Sequence, residues 1–196
     1  MDEKLRKRYE DLKSLFDDEN RKEAFDKLVK FAENETEYLK APASTKYHLN
    51  KESGLLEHSC NVTETLIRLR KTLAPEIPLS SCIIVGLFHD FGKVGIPGKP
   101  FYVPGIPTPK QQKYGYPASD KYSVNPELLY MSHAHRSIYL ILPHMMLTEN
   151  EAQSILCHDG MYLEDNKSYA HRECKLAVLL HTADYWSCQF LEETFI

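Results

Sequence analysis

The chain has 196 residues, of which 42% are hydrophobic and 27% charged, and a formal net charge of −4 at neutral pH. This composition predicts one globular domain with a sizeable core. The sequence contains neither a run of about 18 apolar residues nor a signal-peptide pattern. We therefore expect a cytoplasmic protein without a membrane partner. The negative charge argues against a protein that coats nucleic acid. Five scattered cysteines without a C-x-x-C pair argue against a disulfide framework or a cysteine-type zinc site.

Two amphipathic helices are predicted at the N-terminus. Apolar residues recur at three- and four-residue intervals over 2–16 and again over 20–40, which is the spacing of one helical face. Pro42 separates this pair from the rest of the chain. We therefore predict an N-terminal helical extension over residues 1–41 that packs on a larger domain over residues 42–196.

Five further helices are predicted in the larger domain, over residues 54–73, 80–92, 132–145, 148–158 and 171–192. Ser80 or Ser81 can cap the second of these, which is nearly all apolar and therefore buried. Thr148 and Glu151 have the spacing of a capping box at the start of the fourth. No strand pattern exceeds four residues, so the predicted fold class is all-α.

Residues 92–131 are predicted to form a long loop. Seven of the eleven prolines and five of the eight glycines lie there, without a helical period and with room for a short hairpin. Loops of this length are usually lids or binding segments, although a solvated connector is the plain alternative. Lysines alternate with aromatic residues, which suits a ligand with a phosphate and a base. Lys99, Tyr102 and Lys113 are therefore candidate substrate-binding residues.

Two carboxylates lie in apolar helical segments. Asp90 follows His89 at the end of the predicted buried helix, and Asp184 lies within the run AVLLHTADYW. A buried carboxylate is costly unless it is paired or bound to a metal ion. One divalent cation would account for both acids and for the histidines, including His58 at the edge of an apolar stripe. The alternative is that a separate hydrogen bond satisfies each residue.

Three sequence motifs resemble the signatures of the HD superfamily of metal-dependent phosphohydrolases. They are GLLEHS around His58, LFHDFGK around His89 and Asp90, and LLHTADYW around Asp184. The resemblance covers about residues 54–193. It implies an all-helical HD-domain core in which these four residues bind one metal ion.

The resemblance also implies a second metal ion, which many members of this family hold. His133, four residues before Ser137, and His158, in the sequence CHDG, match the expected ligands, with His135 as a rival of His133. Asp90 would bridge the two ions, which together would activate water for attack on phosphorus. The expected cofactors are one or two ions of Mn, Fe, Co, Ni or Zn, with Mg as a further candidate.

Several residues are expected to assist this centre. Lys93 matches the lysine of the family's HDxGK run and is expected to act with Asp90 in catalysis by binding a phosphate oxygen or assisting the leaving group. Arg136 is a candidate phosphate clamp, because a guanidinium can bind two oxygens. A solvated lysine and a surface salt bridge are the plain alternatives for these two. Three residues are expected to orient the ligands: Glu57, Asp159 and His181.

These observations favour a phosphohydrolase that cleaves a phosphoester with a metal-activated water. The expected substrate is a small phosphorylated molecule, a nucleotide, or the end of a short single-stranded nucleic acid. Two alternatives remain open, namely a di-iron oxygenase of the same fold and a non-catalytic nucleotide-binding or interaction protein. The sequence does not indicate the oligomeric state, nor whether the enzyme is a monoesterase or a diesterase.

Overall fold

The computed structural model describes residues 1–47, 49–161 and 163–192, so Glu193, the last position of the resemblance, lies outside the described residues. The chain is 56% helix and 5% strand, which confirms a mostly helical class. The α-helices are α1 Glu3–Ser14, α2 Lys22–Glu35, α3 Gly54–Leu73, α4 Leu79–Phe88, α5 Pro109–Tyr114, α6 His133–Ile141, α7 Glu149–Cys157 and α8 Lys175–Trp186. Three further helical turns are the 3₁₀ turns Phe91–Val94 and Glu164–Tyr169 and the π-helical turn Ser187–Leu191.

The segment between α4 and α6 contains two small antiparallel sheets. The first pairs β1 (Gly95–Ile96) with β2 (Lys99–Pro100), which is the short hairpin that the sequence allowed, and the second pairs β3 (Tyr102–Pro104) with β4 (Tyr122–Val124). The prediction that this segment contains no helix was wrong for residues 109–114. Helix α5 forms there because the Thr108 hydroxyl accepts the N–H of Gln111 and the Gln111 side chain accepts the N–H of Thr108.

One hydrophobic core joins the helices. Helix α3 packs against α4 and α8, and α7 packs against α8. The apolar faces of α1 and α2 belong to the same buried cluster, including Leu5, Phe25 and Leu28. The rings of Phe16 and Phe25 stack with their centroids 4.1 Å apart. The N-terminal pair thus contributes to the core, while a domain boundary at residue 41 stays a prediction.

The start of α4 differs from its prediction. The helix begins at Leu79, so Ser80 and Ser81, the predicted caps, lie inside its first turn. The N–H of Ser80 donates to the carboxylate of Asp17, and the hydroxyl of Ser81 donates to the buried carboxylate of Glu151. The carboxylate of Asp17, from a distant part of the chain, therefore replaces a local cap.

The last helix begins four residues later than predicted. His171 has a φ of +63°, which lies outside the helical region, and α8 begins at Lys175. The predicted capping box at α7 is present, with Thr148 and Glu151 in the expected roles. Among the described helices, none has both the length and the hydropathy needed to cross a bilayer.

Helix α6 lies unusually close to the turn that follows α4. The N–H of Gly92 donates to the hydroxyl of Ser137 over 2.7 Å, and this hydroxyl donates to the carbonyl of His89 over 2.7 Å. A Cβ atom at residue 92 would lie 2.0 Å from the carbonyl oxygen of His133. Only glycine permits this approach, which brings the start of α6 next to Asp90.

Candidate metal centre

Asp90 lies at the centre of a cluster of imidazoles, and only 2% of its surface is exposed. Its Oδ2 atom lies 3.6 Å from Nε2 of His58 and 3.7 Å from Nε2 of His89. Its Oδ1 atom lies 3.4 Å from Nε2 of both His133 and His158. The two oxygens of one carboxylate therefore face two different pairs of histidines.

The orientation of two of these imidazoles follows from their Nδ1 atoms. Nδ1 of His89 lies 3.0 Å from the carbonyl oxygen of Gly86, and Nδ1 of His158 lies 2.6 Å from that of Ile155. A carbonyl only accepts, so each Nδ1 carries a proton and donates it. When these rings are neutral, their Nε2 atoms therefore present lone pairs to the cluster.

The cluster contains more acceptors than donors. Nε2 of His58 lies 3.2 Å from Nε2 of His89, and Nε2 of His133 lies 3.3 Å from Nε2 of His158. Within the described part of the chain, Oδ1 of Asp90 has no hydrogen bond of ordinary geometry although it is buried. Lone pairs that face one another need a proton or a cation between them. The nitrogen and oxygen atoms that carry these lone pairs therefore fit a metal ion.

Each histidine pair has a second carboxylate beside it. Oδ1 of Asp184 lies 3.2 Å from Nε2 of His58, and Oδ2 of Asp159 lies 3.0 Å from Nε2 of His133. Four groups of three residues in this region have potential ligand atoms within 4.8 Å of one another, close enough to hold a metal ion. Asp159 was expected to orient an imidazole from behind. It faces the Nε2 side instead, where it could itself bind a cation.

Glu192 lies behind His58. Its two carboxylate oxygens lie 3.0 and 3.1 Å from Nδ1 of His58, and it also accepts the side-chain N–H of Asn61 over 3.0 Å. The guanidinium of Arg8 in α1 donates to the side-chain oxygen of Asn61 over 2.7 Å. Sequence reasoning missed Glu192, because 134 residues separate it from His58 and no motif marks it.

Two other residues that were expected to orient ligands have different partners. Glu57 forms an ion pair with Lys51 over 2.8 Å, so the expectation that it steers the neighbouring imidazole is wrong. Nδ1 of His181 donates to the carbonyl of His158 over 2.7 Å. His181 therefore supports the segment that carries a candidate ligand, and the expected contact with Asp184 is not the one observed.

Two of the histidines are strongly basic. Burial lowers the pKa of His58, but the carboxylates of Glu192 and Asp184 outweigh burial and raise it to about 10. Burial also lowers the pKa of His158, and the carboxylates of Asp159 and Asp90 outweigh it and raise the pKa to about 9. Without a cation, these imidazoles therefore hold protons at neutral pH.

Lys93 lies against the central carboxylate. Its Nζ atom is 2.6 Å from Oδ2 of Asp90. Burial raises the pKa of Asp90, but the charge of Lys93 and the surrounding imidazoles outweigh burial and hold the pKa well below its usual value. For His89, burial outweighs the charge of Asp90 and lowers the pKa to about 4. Asp90 is therefore an anion at neutral pH, and His89 is a neutral donor.

A cavity of about 360 Å³ opens onto this cluster. Its floor contains Asp90, Lys93 and Asp184. Its rim includes two exposed aromatic residues and an amide that sequence reasoning did not select, namely Tyr47, Tyr185 and Gln189. The volume lies at the lower end of the roughly 300–1,000 Å³ that is typical of small-molecule sites.

The loop residues that were candidates for substrate binding lie outside this cavity. Tyr102 lines a neighbouring cavity of about 220 Å³, which shares Lys93 with the first. Lys99 is exposed with its Nζ atom 4.0 Å from a carboxylate oxygen of Glu127, and Lys113 is exposed on α5. Neither lysine lines either cavity.

Arg136 and His135 also point away from the cluster. The guanidinium of Arg136 donates to the carbonyl of Leu129 over 2.9 Å and lies 5.7 Å from the ring centroid of Phe101. Nδ1 of His135 lies 2.6 Å from the hydroxyl of Ser132 on the exposed side of α6. Of the two rival histidines, the structure therefore brings His133, and not His135, to Asp90.

The comparisons with known proteins identify no family for this chain. Searches against protein-family models, curated proteins and solved structures gave no match.

Proposed function

We propose that this protein is a metal-dependent phosphohydrolase of the HD type that cleaves a phosphoester of a nucleotide or of an oligonucleotide end. The observation that carries the proposal is the position of Asp90, whose two oxygens face two separate histidine pairs. A carboxylate in this position suits a bridge between two cations, the arrangement of many phosphoester-cleaving sites.

The candidate ligands fall into two sets that share Asp90. The first set adds His58, His89 and Asp184 on the side of Oδ2, and the second adds His133 and His158 on the side of Oδ1. Imidazole and carboxylate ligands favour Mn²⁺, Fe²⁺, Co²⁺, Ni²⁺ or Zn²⁺, with Mg²⁺ as a further candidate. When bound, such ions would supply Lewis acidity toward a phosphoryl oxygen and would make a nearby water more acidic.

Among the described residues, Lys93 is the one that is best placed to bind phosphate. It lies on the cavity floor and pairs with Oδ2 of Asp90, the oxygen that faces the first histidine pair. A cation that neutralises Asp90 would weaken this ion pair, because the carboxylate charge would then be shared. The ammonium group would be free to donate hydrogen bonds to an anionic oxygen in the cavity.

The rim of the cavity favours a substrate with a base. Tyr47 and Tyr185 offer exposed rings on which a base can stack, and Gln189 can both donate and accept hydrogen bonds. The cavity volume of about 360 Å³ suits a mononucleotide or a chain end better than an internal polymer segment.

A panel of phosphoesters tests this proposal. Nucleoside mono-, di- and triphosphates, cyclic nucleotides and short single strands would be incubated with the protein and Mn²⁺, Co²⁺, Ni²⁺ or Mg²⁺. We expect metal-dependent release of phosphate or nucleotide, and a loss of at least about a hundredfold in Asp90→Asn, because even residues that only support a ligand cost 10–100-fold. Asp26→Asn, on the exposed side of α2, is the matched control.

Two results would overturn the proposal. One is a protein that binds metal but cleaves no phosphoester in the panel. The other is Asp90→Asn with unchanged metal content and turnover. Oxygen uptake by the iron-loaded protein would instead support the oxygenase alternative.

A further inference from the structure

A thiol lies beside the first histidine pair. Sγ of Cys188 is 3.6 Å from Oδ1 of Asp184, and this oxygen is 3.2 Å from Nε2 of His58. All three potential ligand atoms lie within 4.8 Å of one another, and all three residues line the cavity. The phosphohydrolase resemblance assigns no role to this cysteine.

Two of the three separations between these atoms match those between ligands of one cation. Bond lengths of roughly 2.0–2.1 Å to nitrogen or oxygen and 2.3 Å to sulfur place tetrahedral ligands about 3.3 Å apart for an N–O pair and about 3.6 Å apart for an S–O pair. The observed distances are 3.2 Å from His58 to Asp184 and 3.6 Å from Asp184 to Cys188. Asp184 is therefore spaced from both other residues as a shared cation requires, and the third separation, from Cys188 to His58, is at most 4.8 Å.

The backbone after α8 supports this placement. Cys188 follows Asp184 by four residues, which puts both side chains on the same helical face. The turn Ser187–Leu191 is π-helical, and the N–H of Glu192 donates to the carbonyl of Ser187 over 3.1 Å. Single π-helical turns are rare and frequently occur at functional sites. The same turn brings Glu192 behind His58 and Cys188 in front of Asp184.

We propose that Cys188 is a ligand of the cation held by His58 and Asp184, so that this centre prefers thiophilic ions such as Zn²⁺ and Co²⁺ to Mg²⁺ and Mn²⁺. The inference rests on the proposed metal centre and adds its metal selectivity. On binding, the S–H bond breaks, the sulfur–metal bond forms and the proton passes to solvent. Soft thiolate ligands favour these ions, whereas Mg²⁺ and Mn²⁺ favour oxygen.

Absorption spectroscopy of the cobalt-loaded protein tests the inference. Co²⁺ would be titrated into the full chain, and bound cobalt would be measured separately by equilibrium dialysis. We expect a near-ultraviolet thiolate-to-cobalt charge-transfer band that is lost in Cys188→Ser and in Cys188→Ala. Cys174→Ser is the matched control, because Cys174 is the other half-buried cysteine and lies at the start of α8, away from the cavity.

Affinity and alkylation provide two further readouts. Cys188→Ser is expected to weaken Zn²⁺ and Co²⁺ binding by about tenfold or more, while Mn²⁺ binding changes by less than about threefold. Zn²⁺ is expected to slow alkylation of Cys188 and to leave the alkylation rate of Cys174 unchanged, as measured by mass spectrometry.

The outcomes separate this inference from the proposed function. Bound cobalt without a thiolate band, or a band that persists in Cys188→Ser, overturns the inference and leaves the phosphohydrolase proposal intact. A wild-type protein that binds no cobalt, manganese or zinc overturns both. A wild-type band that disappears in both Cys188 variants, which circular dichroism shows to be folded, supports the inference.

Discussion

Metal binding should release protons, and the histidine environments determine how many. The pKa of His58 is raised to about 10 and that of His158 to about 9, so both imidazoles are protonated at pH 7. A cation needs the Nε2 lone pair and must displace each proton. His89, whose pKa burial lowers to about 4, is already neutral and contributes none. Binding at pH 7 is therefore expected to release about two protons from these residues.

The sign and size of the pH effect follow from this count. Below pH 9 each of the two ions must displace one of these protons, so the apparent association constant of each ion is expected to rise by about tenfold per pH unit, and that for binding both ions by about a hundredfold. Above about pH 10 both imidazoles are neutral without metal, so the affinity for metal no longer depends on their protons. Affinity therefore increases with pH, and the steepest increase lies below the raised pKa values.

Isothermal titration calorimetry in buffers with different ionisation enthalpies measures the protons released. His58→Gln is expected to lower the number by one, whereas His89→Gln is expected to leave it unchanged although affinity falls. Ionisation of a bound water would add equally in each protein, so the difference between variants is the readout. Equal proton release in His58→Gln and wild type would refute this reasoning.

Substitutions at three further residues test other parts of the structure. Glu192→Ala is expected to weaken metal binding by about 10–100-fold because His58 loses its support, whereas Glu192→Gln keeps an accepting oxygen and most of the affinity; equal dialysis constants for the two variants would contradict this. Glu151→Ala is expected to lower the free energy of unfolding in urea by about 3 kcal/mol, because it leaves Arg21 without its buried partner, and a change below about 1 kcal/mol would contradict this. Lys93→Met is expected to bind cations at least as tightly as wild type, because the competing ammonium is gone, while kcat/KM falls by about a hundredfold; a loss of metal in place of a loss of kcat/KM would assign Lys93 a structural role.

Helix ends were predicted correctly where neighbouring residues in the sequence determine them. Helix α3 begins and ends at the predicted residues, because Pro75 follows its last turn. The end of α7 and its capping box were also predicted. The start of α4 was not, because the N–H of Ser80 in its first turn bonds to Asp17, which is distant in sequence. Helix α5 was missed although Thr108 and Gln111 have the capping spacing, since its residues are all exposed or half-buried and show no apolar period.

The sequence likewise predicted some residues of the site and missed others. Carboxylates in apolar helices indicated a metal site, and the structure does bring together Asp90, Asp184, His58 and His89. Residues that contact the candidate ligands from outside the cluster had no recognisable pattern in the sequence. Glu192 reaches His58 only through the path of the π-helical turn, which no spacing rule predicts.

The hydrogen bonds from Arg8 through Asn61 and Glu192 to His58 give α1 an influence on the first histidine pair. Helices at the edge of a fold open locally more often than the core does. Each opening of α1 would remove the guanidinium that holds Asn61 and loosen the carboxylate behind the imidazole. The affinity of this site for a cation would then follow the local stability of the first helix, well below the temperature at which the whole chain unfolds.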